Sequence, residues 1–196
     1  MEDRKINEQE SIQIISQMIK NTQERFEKNS GIPFVIWGYG TIVTALVVWY
    51  MVTSTLNYHW HWLWFMLPVI SGIPYFIYNQ KKTHYVHVRT YVDRIINYIW
   101  IVMGISSFFV SLLAMFRPIP ILFIIILLMG MATTLTGLVC RYKPIVFCGI
   151  LGIILSFLTF LFKGTDQILF FAGVFLVMMV IPGHILNAAA NKHNRS

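Results

Sequence analysis

Six apolar segments, each long enough to cross a lipid bilayer as a helix, constrain this chain more than any other feature. None of them contains Asp, Glu, Lys or Arg. A helix needs about 20 apolar residues to cross a hydrocarbon core of about 30 Å, whereas a strand of a membrane barrel needs about 10 residues of alternating polarity. The sequence therefore predicts an all-α bundle of six transmembrane helices. The segments are residues 33–53, 60–79, 95–116, 119–140, 145–162 and 167–187.

The basic residues are distributed unequally between the two sides of this predicted bundle. Of the 15 lysines and arginines, 13 fall at the two ends of the chain or in alternate gaps between the apolar segments. The two exceptions are Arg117 and Lys163. Because cytoplasmic loops retain Lys and Arg, both termini are predicted to lie in the cytoplasm. We therefore expect a multi-pass protein of the inner (plasma) membrane.

The predicted organisation has one membrane domain with short cytoplasmic additions. Residues 1–30 are expected to form a cytoplasmic helix, residues 31–190 the transmembrane domain, and residues 191–196 a cytoplasmic tail. The net charge of +7 comes from residues that flank the spans. Contact with anionic lipid headgroups explains such flanking charges, so nucleic acid is not an expected partner.

An amphipathic helix is predicted over residues 8–28. Gly31 and Pro33 are expected to end it before the first span, because proline lacks a backbone donor and glycine favours helix ends. Its apolar face would lie on the membrane, pack on the bundle, or contact a protein partner. The residues at helical spacing that form this candidate partner surface are Ile12, Ile15, Ile19 and Phe26.

Prolines and glycines mark two segments as bent or interrupted. The second segment contains Pro68 through Pro74, and the sixth contains Pro182-Gly183-His184. Interrupted helices at corresponding places in two halves can mark a transporter site, and an ionisable group inside a membrane is often functional. A pair of kinks that only shapes the bundle is the alternative. The candidate cavity or hinge residues are Tyr39, Ser71, Gly72, Pro74, Pro182, Gly183 and His184.

Small residues predict where helices pack closely, since in lipid they let backbones approach. Cys140 and Cys148 are expected to be reduced apolar fillers near the cytoplasmic side. The predicted packing seams are Gly104, Ser107, Ser111 and Ala114 in the third segment, Gly130, Thr134 and Gly137 in the fourth, and Gly149, Gly152 and Ser156 in the fifth.

The sequence contains no motif that indicates catalysis or cofactor binding, so neither an enzyme nor a cofactor is expected. The pairs His59/His61 and His84/His87 each offer two ligands, but zinc usually requires three or four. No metal site is therefore expected. With no carboxylate in any span, the usual proton or sodium relay has no groups to use.

Several short motifs are spread along nearly the whole chain. They are Ile36-Trp37-Gly38 in the first span, Tyr91-Val92-Asp93 after a basic gap, Arg141-Tyr142-Lys143-Pro144, and Ile181-Pro182-Gly183-His184. In these motifs the chain resembles a family of small, uncharacterised six-span bacterial membrane proteins with an N-terminal amphipathic helix. Such proteins are similar to ones often encoded beside a winged-helix regulator, and the resemblance therefore implies a role in envelope regulation or response.

Two functional hypotheses follow from the sequence. The first is a non-enzymatic membrane protein that acts through protein or lipid contacts at its cytoplasmic face, because most of the polar sequence lies there. Its expected partners are membrane lipids and either a second copy of the chain or another protein. The alternative is a small transporter or channel subunit with a site between the second and sixth helices.

Overall fold

The computed structural model describes residues 8–82 and 91–193, and every regular element in these two ranges is helical. The α-helices are α1 (Glu8–Thr55), α2 (Leu67–Lys82), α3 (Tyr91–Phe116), α4 (Ile121–Val139), α5 (Lys143–Leu158), α6 (Asp166–Phe175) and α7 (Ile181–His193). A 3-10 helix, Tyr58–Met66, leads into α2, and a shorter one, Thr159–Leu161, follows α5. A π-helical segment, Leu176–Val180, joins α6 to α7.

Five of the helices in these ranges are long and apolar enough to cross a membrane. They are Ser30–Thr55, Tyr91–Phe116, Ile121–Val139, Lys143–Leu161 and Asp166–Lys192. The predicted all-helical fold is thereby confirmed for the described residues, with several helices apolar enough to span a membrane. The second apolar segment differs from the others, because its first part is the 3-10 helix and α2 has only 16 residues.

Helix α1 is continuous where a break before the first span was predicted at Gly31 and Pro33, so that prediction is wrong. It runs without interruption for 48 residues, with Pro33 inside it. Proline removes one hydrogen bond from a helix interior, but its fixed φ angle is compatible with helical geometry. Contacts on both sides hold the helix together here. Phe26 is buried before the proline, and Phe34 is buried directly after it.

The core has two close-packed parts. Helices α4 and α5 form an antiparallel hairpin, and the predicted seams on both are confirmed. A Cβ atom added to Gly137 would lie 2.6 Å from the backbone nitrogen of Val146, and one added to Gly149 would lie 2.5 Å from that of Thr134. Helix α1 packs along α6, the π-helical segment and α7. These two parts meet at Met178, because its sulfur lies against Gly152 of α5.

Helix α3 lies at the edge of the bundle and packs mainly against α4. None of its residues is buried. A Cβ atom added to Gly104 would meet nothing within 4 Å. The small-residue seam predicted on the third segment is therefore wrong at Gly104, whereas those on the fourth and fifth segments make the expected contacts.

Candidate functional site

Two of the predicted site residues, Tyr39 and His184, lie in contact although they are 145 positions apart in the chain. The hydroxyl oxygen of Tyr39 is 3.1 Å from Nε2 of His184, and the two rings meet edge to face with centroids 5.9 Å apart. Both side chains face outwards, and 46% of the Tyr39 surface is exposed. They form a polar pair on the lateral surface of an otherwise apolar bundle.

The π-helical segment sets the direction in which His184 points. In this segment the backbone N–H of Ile181 donates to the carbonyl of Leu176, five residues back. One extra residue in a helical turn rotates everything after it by about 100°. Pro182 lacks a backbone N–H, so the hydrogen-bond pattern must change near this point in any case. The rotation places Pro182 and Gly183 in the interface with α1 and leaves His184 at its outer edge.

Glycines on both helices bring α1 and α7 close enough for this contact. A Cβ atom on Gly38 would lie 2.7 Å from Cγ2 of Val180, and one on Gly183 would lie 2.8 Å from Cγ2 of Val35. Gly31 packs against the side chain of Asn187 in the same way. Any larger side chain at these positions would separate the helices, so the glycines fix the distance between Tyr39 and His184.

Ser71 belongs to a different contact. Its side chain is fully buried against Gly40, and its Oγ has no hydrogen-bond partner. Gly72 has open space around it, and Pro74 is exposed within α2. Tyr39 and Gly40 are consecutive, so they point about 100° apart on α1. The structure therefore brings His184 to one face of α1 and Ser71 to another, and the seven candidate residues do not form one site.

The predicted partner surface near the N-terminus is also divided. Phe26 is buried and contacts Tyr142, with ring centroids 6.2 Å apart, so it belongs to the protein's own core. Ile12 is 65% exposed. The side chains of Ile15 and Ile19 lie outside the part of the chain that the structure describes.

Phe26 packs against Tyr142 in the turn between α4 and α5. The sequence did not predict this turn as a contact site. Arg141 adopts a left-handed conformation (φ 54°) at the end of α4, a position that usually selects glycine. The backbone N–H of Tyr142 then donates to the carbonyl of Gly137 at 2.8 Å. Burial, together with a smaller effect of the Asp93 carboxylate, raises the pKa of the adjacent Cys140 thiol to about 12. We call the end of the bundle that contains this turn the basic end.

The opposite end carries His59 and His61. An open depression of about 390 Å³ there is lined by Leu56, Asn57, Tyr58, His59, Trp62 and Met115. The side chain of Asn57 accepts from the backbone N–H of His59 at 2.9 Å, and His61 stacks on Tyr58. Within residues 8–82 and 91–193, no three His, Cys, Asp or Glu side chains converge on a metal position. His84 and His87 lie outside those ranges.

Comparisons with models of known protein families, with curated proteins and with solved structures find no match to this chain. Two features stand out: the continuous helical extension of α1 beyond the basic end, and the Tyr39–His184 pair on the lateral surface.

Proposed function

We propose that this chain is a non-enzymatic protein of the inner membrane that acts through contacts at its basic end, with both termini in the cytoplasm. The proposal includes a sixth crossing made by the 3-10 helix and α2 together. Nε1 of Trp60 donates to Oγ1 of Thr55 at 3.0 Å, and Ser71 packs on Gly40. Since these two contacts lie about 22 Å apart along α1 at 1.5 Å per residue, the segment runs alongside α1 through most of a bilayer.

The observation that carries the proposal is the continuity of α1. Its membrane-spanning part begins at Ser30, so Glu8 to Asn29 extend the same helix by about 33 Å beyond it. Phe26 anchors this extension to the turn at Tyr142. Ile12 lies about 21 Å beyond that anchor and is exposed. A helix that is anchored to the bundle through Phe26 presents its far end to a partner.

A protein partner with an apolar groove fits this surface. An amphipathic helix binds such a groove through apolar residues spaced at three or four positions, and Ile12, Ile15 and Ile19 have that spacing. Because α1 is one helix, a partner bound to Ile12 would be coupled rigidly to the transmembrane bundle. This coupling is consistent with a protein that reports a state of the membrane or organises other proteins beside it.

Site-specific crosslinking in cells tests this proposal. A photoreactive residue at Ile12 should form adducts of defined mass, whereas the same residue at Gln13, which is also exposed but points about 100° away, should form few. Ile12→Asp should remove the partner from material purified in mild detergent, and Gln13→Asp should not. An identical partner set with both variants would refute the proposed surface.

The alternative, a small transporter or channel subunit, draws support from the polar Tyr39–His184 pair beside a π-helical segment, since such segments often mark functional places. It has less support than the first proposal, because Ser71 packs against Gly40 rather than opening toward His184. Substrate uptake into vesicles that depends on Ser71 and His184 together would favour it.

A further inference from the structure

We propose that the Tyr39–His184 pair binds a lipid-soluble quinone that reaches it sideways from the bilayer. The ligand class is a ring carbonyl compound with an apolar tail. This inference goes beyond the proposed function, because it concerns the lateral surface of the bundle rather than its basic end. It rests on three observations: the hydrogen-bonding capacity that the pair leaves unused, its depth in the membrane, and the apolar strip beside it.

The pair has more hydrogen-bonding capacity than its own contact uses. Tyr39 carries one O–H donor and His184 carries at least one ring N–H donor, and the hydroxyl also accepts. The contact at 3.1 Å uses one donor. At least one O–H or N–H is therefore left to donate to another molecule. In lipid an unused donor is costly, and a carbonyl oxygen is a suitable acceptor for it.

The depth of the pair selects the kind of molecule that can supply this acceptor. Tyr39 lies about 13 Å along α1 from Ser30, and His184 lies about 12 Å along α7 from Lys192. The span Ser30–Thr55 has 26 residues and is about 39 Å long, so each end extends about 4 to 5 Å beyond a core of about 30 Å. The pair thus lies several ångströms inside the hydrocarbon. Lipid phosphates do not reach this depth, whereas the ring of a quinone does.

An apolar strip on α1 continues from the pair through the middle of the bilayer. Tyr39, Val43, Leu46 and Tyr50 are all exposed and share one side of the helix. They extend over about 16 Å, which matches several units of an extended apolar tail. Helix α2 packs on α1 at Gly40 and the π-helical segment packs on it at Gly38, and both leave this side of α1 exposed. A ligand could therefore enter from the lipid without any movement of the helices.

The test uses full-length protein in nanodiscs made of ether-linked phosphatidylcholine, a lipid without ester carbonyl groups. The probe is decylubiquinone, a benzoquinone with a ten-carbon tail. The quinone retained per protein after gel filtration is measured against empty nanodiscs of the same lipid. We expect saturable binding that Tyr39→Phe weakens about tenfold, the effect of losing one hydrogen bond of about 1.4 kcal/mol.

Two further variants complete the test. Tyr98→Phe removes an exposed hydroxyl from α3, outside this strip, and should bind like the wild type. His184→Leu should weaken binding as Tyr39→Phe does, and the gel-filtration profile of each variant shows whether it is folded. Absence of saturable binding, or equal binding by Tyr39→Phe and wild type, would overturn the proposal. A change from monomer to dimer that depends on Tyr39 would also overturn it, because a second copy would then cover the pair. Unfolding of the wild type and of Tyr39→Phe is also compared in nanodiscs of ester-linked and of ether-linked lipid without quinone. If the wild type is the more stable of the two only in ester-linked lipid, the acceptor is a bilayer ester and the quinone proposal fails.

Discussion

Replacing Gly149 with alanine should destabilise the bundle, although alanine is the better helix former. A Cβ atom at this position would lie 2.5 Å from the backbone nitrogen of Thr134 and 2.9 Å from its Cα. Ordinary contact begins at 3.4 Å, so α4 and α5 would have to separate by nearly 1 Å. Backbone atoms cannot rotate away as the end of a side chain can.

The size of the effect follows from two opposing contributions. Glycine to alanine in a helix interior gains about 1 kcal/mol in propensity. Overpacking a well-filled interior costs about 1–3 kcal/mol, and a gap of 0.5–1 Å forfeits a quarter to a half of each dispersion contact along the seam. Gly173→Ala is the matched control, because that glycine also lies inside a helix but has nothing within 4 Å. The propensity gain is common to both variants, so their difference reports the clash alone, about 1–3 kcal/mol.

The assay is reversible unfolding in mild detergent with increasing sodium dodecyl sulfate, followed by tryptophan fluorescence. We expect Gly149→Ala to unfold at a lower fraction of sodium dodecyl sulfate than the wild type, and Gly173→Ala at an equal or higher fraction. If the two variants unfold together, the close approach of α4 and α5 is not what holds the hairpin, and the reasoning is wrong.

Three further predictions concern the ends of the bundle. Phe26→Ala should destabilise the protein by about 3 kcal/mol in the same assay, because it removes a buried aromatic side chain. Ile12→Ala should change the free energy of unfolding by less than about 0.5 kcal/mol, because Ile12 is exposed. Equal effects of the two substitutions would show that Phe26 is not an anchor. Cys140 should resist maleimide at pH 8 in folded protein, since a thiol with a pKa of about 12 is ionised to only about one part in ten thousand at that pH, and rapid labelling before denaturation would contradict its burial. In a variant without native cysteines, Lys163→Cys should react with an impermeant maleimide added outside the cell, whereas Lys192→Cys should react only after permeabilisation; the reverse pattern would refute the proposed orientation.

The apolar segments predicted the helices well, because length and hydropathy depend only on the local sequence. The predicted span 95–116 lies within α3, and 119–140 differs from α4 by two residues or fewer at each end. The effects of contacts between helices were harder to predict. Pro33 was expected to end a helix, but burial of Phe26 and Phe34 on its two sides keeps α1 continuous. Such support from tertiary contacts has no signature in the local sequence.

The candidate site shows the same division between local and long-range information. The proline and glycine interruptions grouped Tyr39, Ser71 and His184 as one candidate site, but they could not give the rotation about α1 that separates Ser71 from the other two. The π-helical segment before Pro182 determines that rotation for His184. No residue in Leu176–Val180 indicates it, and the proline downstream shows only that a hydrogen bond must be lost. The sequence therefore predicted the members of the pair but not their separation from Ser71.

The peripheral position of α3 makes it the part of the bundle most sensitive to bilayer thickness. At 26 residues it is about 39 Å long, well above a core of about 30 Å, so in a bilayer it must tilt or protrude. Glycine contacts hold α1 against α2 and α7, and hold α5 against α4 and Met178, whereas α3 buries no residue and packs mainly on α4. A thinner membrane would therefore change the angle between α3 and α4 before it changed anything else. Asp93 in the first turn of α3 lies near Cys140. That change of angle would therefore directly alter the contacts at the turn that anchors the N-terminal extension.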